Sequence, residues 1–240
     1  MMNILSINIR GLGAGPNFLA LKELFVSAPY RLTLVQETMH DRLDSIAFFR
    51  RMLPSWYMAT TEANGFSGGL AVLWDPRWIK AVTFRCLGGI LVVAKYRGYA
   101  ESFHILNVYA PYRNRESFWN MFFASGILEI DTLLITGDLN CTLGPDEVWG
   151  KGKKSDPIGG EIKEAMLQNN LIDISPDPLA PTWDNGRAGD AFIAKRLDRF
   201  ILHGKLLENH GIPSSLTLPV FISDHRPITL QWMEHNPRKI

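Results

Sequence analysis

The stretch Thr132-Leu-Leu-Ile-Thr-Gly-Asp-Leu-Asn140 begins as an apolar run and stops on a glycine, an acid and an amide. Thr132 to Thr136 has the length and β-branched content of a buried strand, and Gly137 punctuates its end. Asp138 and Asn140 therefore fall where α/β scaffolds carry working groups, at a strand end and in the loop after it. The same arrangement recurs along the chain. Asn8 closes a predicted strand over Asn3 to Asn8 (NILSIN), and Gln36-Glu37-Thr38 closes a second over Arg31 to Gln36. Asn107-Val-Tyr109-Ala-Pro111 closes a third over Ser102 to Val108, and Arg196-Leu-Asp198-Arg199 and Ser223-Asp224-His225-Arg226-Pro227 follow toward the C-terminus. Any one acid after a strand is usually a turn former or a helix cap. Six such segments in one chain, each at a predicted strand end, form a constellation.

Working outward, further strands are predicted over Ser67 to Trp74, Lys80 to Arg85 and Ile90 to Tyr96, with short β-like runs near Leu197, Leu216 and Ile228. Helical periodicity appears over Pro16 to Ser27, Asp41 to Arg51, Glu116 to Ala124 and Ile158 to Asn169, with Pro16 and Asp41 suited to helix starts. Gly137 to Pro157 reads as a long irregular stretch. Without a repeat, a low-complexity tract or a linker, the simplest organisation is one domain over residues 1–240. A mixed α/β order with two β-rich portions predicts two sheets packed face to face with helices covering the outside.

Composition narrows the function classes. In 240 residues, 46% are apolar and the formal net charge is only +1. A core is affordable, and any field that attracts nucleic acid must come from a local patch. Cys86 and Cys141 have no metal-type spacing and are expected as buried reduced thiols, which favours an intracellular setting. No run approaches the roughly 20 apolar residues of a membrane span, and no membrane partner is expected.

In this order the six segments resemble the endonuclease/exonuclease/phosphatase superfamily, on GDxN followed some 80 residues later by SDHxP and over Asn3 to about Leu230. The resemblance implies a four-layer, DNase I-like α/β sandwich and a phosphodiesterase using Mg²⁺, with Mn²⁺ as a possible substitute. It places Glu37 at the metal with Asn8 in support, and Asp224 with Asp138 and Asn140 at a second metal if one binds. Asp138 resembles the residue that activates the attacking water, and Asn140 and Tyr109 resemble phosphate ligands. His225 would face a non-bridging phosphate oxygen, oriented by Asp198.

The segments Asn8-Ile-Arg-Gly-Leu-Gly13, Gln36-Glu-Thr38, Ser67-Gly-Gly-Leu70, Asn107-Val-Tyr-Ala-Pro111 and Thr182-Trp-Asp-Asn-Gly-Arg187 look like the endonuclease domain of LINE-type (non-LTR) retrotransposons, plant-type ones above all. That branch implies a monomer that nicks one strand of double-stranded DNA, with a reverse transcriptase in the same polyprotein and a nuclear place of action. Arg10 stands where repair-type apurinic endonucleases carry an acid, Ile7 where a tryptophan is common, and Leu139 where a phenylalanine is common. Phosphate contacts are expected from Arg10, Arg113, Arg115, Lys151, Lys153, Lys154, Arg187, Arg199 and Arg226, and a minor-groove probe from the loop Ala188 to Ala194. The competing expectations are a phosphatase for a small or lipid phosphate and a DNA-binding module without catalysis.

Overall fold

The computed structural model describes residues 2–13, 15–64, 67–151, 154, 156–219 and 222–232. Twelve strands make two six-stranded sheets. In chain order they are β1 (Met2–Asn8), β2 (Leu32–Gln36), β3 (Tyr57–Thr60), β4 (Leu70–Trp74), β5 (Ile79–Cys86), β6 (Gly89–Tyr96), β7 (Phe103–Tyr109), β8 (Leu133–Asp138), β9 (Leu171–Asp173), β10 (Asp198–His203), β11 (Ser214–Thr217) and β12 (Ile228–Trp232). The first sheet runs β11-β12-β1-β2-β4-β3 and the second β9-β10-β8-β7-β6-β5. The helices are α1 (Gly15–Val26), α2 (Arg42–Met52), α3 (Arg115–Phe123), α4 (Pro157–Gln168) and α5 (Gly204–His210).

The period-2 alternation of each central strand divides its side chains between two cores. Ile4, Leu34, Val72, Leu134 and Leu202 face the space between the sheets. Their neighbours Leu5, Val35 and Leu73 face outward against Leu21, Phe25, Phe49 and Met52 of α1 and α2. On the far side, Leu133, Ile135 and Ile201 pack on Phe118, Trp119, Ile162 and Met166 of α3 and α4. The result is the expected four-layer sandwich. Asp41 and Asp156 start α2 and α4 by accepting the N–H of Asp44 and of Ile158, which satisfies donors a helix N-terminus leaves open.

Three expectations need correction. The predicted strand Ser67 to Trp74 is broken at Gly69, which has φ +80° and lies so close to Thr38 that a Cβ would fall 2.3 Å from its hydroxyl. The irregular stretch after Asp138 contributes a strand to a small third sheet, in which Val148–Gly150 pairs with Ile193–Lys195 and that with Trp183–Asp184. Cys141 is buried as expected, but Cys86 is only half-buried; both are free thiols. Among the described residues no helix is long and apolar enough to cross a membrane.

Candidate active site

Strand register decides which polar side chains meet. Parallel pairing of β8 with β7 and antiparallel pairing with β10 set Asp138 directly beside Tyr109 on one side and Asp198 on the other. Parallel pairing of β1 with β2 sets Asn8 beside Gln36, so that Glu37 follows at the same end of the first sheet. Glu37 and Asn140 adopt left-handed backbone, with φ of 52° and 51°. Non-glycine residues hold such conformations at a cost of roughly 1–3 kcal/mol, and they concentrate where the surrounding structure fixes a working geometry. Gly137 is obligatory for a different reason: a Cβ there would sit 2.0 Å from the Val108 carbonyl oxygen.

Beneath the site, amides pin one sheet to the other. Gln36 Nε2 donates to Ser6 Oγ at 3.1 Å and across the sandwich to Asn107 Oδ1 at 2.7 Å. Asn107 Nδ2 returns hydrogen bonds to the carbonyl oxygens of Val35 and Ala71. Above this pin, Asn8 spans the gap between the sheets. Its Nδ2 donates to Glu37 Oε1 and to Asp138 Oδ2, both at 3.0 Å. Its Oδ1 accepts the Arg10 N–H at 3.1 Å, which leaves one lone pair on that oxygen, and Asn8 supports Glu37 through its amide N–H.

Asp138 is 1% exposed. Burial, followed by the charge of Asp198, raises its carboxyl well above the ordinary range, against the pull of His225 and of hydrogen bonds from Asn140 N and Asn8. The Asn140 N–H donates to Asp138 Oδ1 at 2.8 Å, and Asn140 Nδ2 donates to the Ala110 carbonyl at 2.7 Å. His225 is equally buried, and its Nδ1 lies 2.9 Å from Asp198 Oδ2. Burial alone would depress the imidazole; the Asp198 charge and hydrogen bond overcome that, with Asp138 and Asp224 adding to them, and hold it at about 9. The opposite nitrogen, Nε2, stands 3.7 Å from Asp138 Oδ2, longer than a hydrogen bond. Burial, then the charge and hydrogen bond of Glu37, keep the Tyr109 phenol neutral far above its ordinary value, with Asn140 also in hydrogen-bond reach.

The hairpin from Thr182 to Lys195 ties the two late segments together, a role absent from the expectations. Thr182 Oγ1 accepts the N–H groups of Leu197 and Asp198, both at 2.9 Å, and its carbonyl accepts Arg226 N–H. Trp183 forms an isolated bridge with His225, and its indole N–H donates to Asp224 Oδ2 at 2.8 Å.

Asp138, Asp198 and His225 each offer one atom within 4.8 Å of the others, close enough to hold a divalent ion. Their hydrogen bonds favour another use, since Nδ1 is already committed to Asp198. Glu37 fits a hard cation better. It is buried, Oε1 takes the Asn8 amide, and Oε2 meets the Arg10 guanidinium only at 3.9 Å. Oxygen donors of this kind suit Mg²⁺ or Mn²⁺.

The basic residues divide. Arg10, Arg113, Lys151, Lys154 and Arg187 are exposed, and Lys151 pairs with Asp190 at 2.7 Å. Lys153 lies outside the described residues. Arg115 is committed to Asp156 at 2.8 Å, and Arg226 to the Pro181 carbonyl and to Asp184. Arg199, expected on the rim, is instead 1% exposed and bonded to Glu147, Asp173 and the Cys141 carbonyl. Alternation along β10 explains this, because Arg199 leaves the opposite face from Asp198. The expected groove probe, Ala188 to Ala194, begins exposed and ends as the middle strand of the small sheet.

No protein-family profile matches the chain, and no curated protein matches it in sequence. Solved structures do match. An AP endonuclease from Leishmania major superposes with a TM-score of 0.81 at 15% identity, covering 98% of this chain and 88% of that one. The endonuclease domain of TRAS1, a telomere-specific non-LTR retrotransposon, gives 0.68 at 16% identity, covering 98% of this chain and 100% of that one. The 3′-5′ exonuclease NExo from Neisseria meningitidis gives 0.73 at 15% identity over 96% and 99%. The chain thus has the two-sheet α/β sandwich of these hydrolytic nucleases, the fold that the superfamily resemblance implied.

Proposed function

We propose that this chain is a phosphodiesterase of the endonuclease/exonuclease/phosphatase superfamily that nicks one strand of duplex DNA with Mg²⁺ and leaves a 3′-hydroxyl. The observation that carries the reading is the Asn8 amide, which joins Glu37 of one sheet to Asp138 of the other, while Asp138 faces the His225–Asp198 pair. A cation held at Glu37, a base and an acid-backed imidazole would then converge on one phosphate.

In-line hydrolysis needs an activated water, a stabilised phosphate charge and a protected leaving oxygen. Asp138 takes the proton from water; its raised affinity for protons suits a general base. Asn8 and the Asn140 backbone N–H fix its two oxygens, one each. His225, held as imidazolium by Asp198, points Nε2–H at a non-bridging oxygen, as a buried acid does for the histidine of a hydrolytic triad. Tyr109 and Asn140 orient the same phosphate. Glu37 and Asp224 would hold Mg²⁺, with Mn²⁺ as a substitute, and the bound ion would supply charge neutralisation at the phosphate and leaving oxygen. The exposed Arg10, Arg113, Lys154 and Arg187, with Lys153, contact the DNA backbone, and the loop after Arg187 senses groove shape.

The finer reading is a non-LTR retrotransposon endonuclease domain, acting as a monomer in the nucleus and joined to a reverse transcriptase in one polyprotein. The TRAS1 domain, matched over its whole length, supports it. Supercoiled plasmid with Mg²⁺ tests the activity. Relaxed circles that EDTA abolishes and that a DNA polymerase extends without end repair are expected. Intact plasmid, together with phosphate release from inositol polyphosphates or phospholipids, would replace the nuclease with a small-substrate phosphatase. DNA retention without hydrolysis of any phosphate ester would leave only a binding module.

A further inference from the structure

One cation lies against the acidic edge of the site and has no role in the proposed chemistry beyond its contact with the DNA backbone. Arg10 leaves β1 two residues after Asn8 with φ +48°, and its backbone N–H is fixed on Asn8 Oδ1. From that anchor its guanidinium reaches between two carboxylates, Nε at 3.9 Å from Glu37 Oε2 and Nη1 at 3.4 Å from Asp224 Oδ2. Both distances exceed the 2.7–2.9 Å of a charge-assisted hydrogen bond. The side chain is 49% exposed, whereas that of Glu37 is 6% exposed. The backbone is tethered and the head group is loose. A guanidinium cannot shed its charge, so this positive charge stays on the acidic edge at every working pH.

We infer that Arg10 is a built-in counter-ion which a divalent cation must displace from Glu37 and Asp224, so that it sets the affinity of the site for the ion. The inference rests on the reading of Glu37 as the metal-holding carboxylate. A tethered cation and a dissolved one compete for the same oxygens, and the tethered one has the advantage of local concentration. Each of these long ion pairs, in a partly solvated setting, is weak, which allows the exchange. Once displaced, the guanidinium remains beside the scissile phosphate with donors free. Cation and phosphate should therefore favour each other's binding, by linkage.

The test uses the whole chain and Mn²⁺ alone, followed by titration calorimetry and by loss of the free-ion paramagnetic resonance signal. Arg10→Met is expected to bind Mn²⁺ about tenfold more tightly than wild type, because one unit of opposing charge is gone. Arg10→Lys, which retains the charge, is expected to stay within about twofold of wild type. In EDTA, Arg10→Met should melt lower than wild type, and in excess Mn²⁺ the order should reverse. Mn²⁺ affinity that is unchanged or weaker in Arg10→Met, with circular dichroism unaltered, overturns the counter-ion. Tightening in Arg10→Lys equal to that in Arg10→Met overturns it as well. Glu37→Gln separates the two levels of the argument: if wild type and Glu37→Gln bind Mn²⁺ alike, the metal assignment fails and takes the inference with it. If Glu37→Gln loses the ion while Arg10→Met does not differ from wild type, only the counter-ion fails.

Discussion

Two clusters of buried charge flank β10, and the four-residue segment Arg196-Leu197-Asp198-Arg199 supplies both. On one face Arg196 and Arg199 meet Glu147 and Asp173 in a network of charge-assisted hydrogen bonds. On the other, Asp198 meets His225 and Asp138. The first cluster is balanced, two guanidiniums against two carboxylates. Although burial works against it, Glu147 is held down at about 2, by Arg199 above all. The second cluster gathers Asp138 and Asp198 around one imidazole, with Asp224 adding its charge, and Asp138 is driven up. The two lie on opposite faces of one strand and are buried alike, yet they hold protons in opposite ways. Balance makes charge structural; imbalance leaves a group seeking a proton, the property a base requires.

That contrast can be broken by mutation. The largest effect is expected at the unbalanced cluster: His225→Ala or Asp198→Asn should lower single-turnover plasmid nicking about 10³-fold or more, the scale seen when a triad-type member is removed. Circular dichroism should stay native in both. At the balanced cluster, Arg199→Met should cost about 3–5 kcal/mol of stability in urea unfolding, because it leaves Glu147 and Asp173 to share the single guanidinium of Arg196 in a buried site. The protein that remains folded should still nick.

Acid should distinguish the clusters next. Because the folded value of Glu147 lies below its unfolded one, its contribution is full above the unfolded value, near 4.5, and is lost as pH falls toward about 2. Urea midpoints of wild type and Glu147→Gln should therefore converge through that window; a constant difference would contradict the assignment. The smallest effect belongs to the support residues. Trp183→Phe removes the indole N–H that holds Asp224 and should raise the Mg²⁺ concentration for half-maximal nicking several-fold, with melting shifted by only a few degrees, as for the loss of one hydrogen bond of about 1 kcal/mol.

The contrast also shows what can be read from a linear chain. SDH, expected at a strand end, instead precedes β12. GDLN was legible because it is a local string at the end of an apolar run, and strand ends are visible from periodicity alone. Arg199 was misread for the same reason: adjacency to Asp198 suggested a shared location, whereas alternation in β10 sends neighbours to opposite faces. The Gln36–Asn107 pin joins residues 71 apart in sequence, and neither amide announces its partner. The small third sheet was missed because Val148–Gly150 and Ile193–Lys195 are each three residues long, too short for a period to register. Asp224 was expected with Asp138 at a cation, but its position beside Trp183 and Arg10 depends on the hairpin fold.

Asp138→Asn measured for nicking and for stability on the same preparation tests the central claim most directly. The substitution keeps the shape and removes a buried carboxyl that the site holds against its ordinary tendency to ionise. Mg²⁺-dependent plasmid relaxation should fall by at least about 10³-fold while the melting temperature moves by only a few degrees, because relief of the buried carboxyl is set against the loss of one of the two hydrogen bonds that its oxygens accept. Relaxation at the wild-type rate from this variant, or loss of nicking that only follows loss of folding, would contradict it.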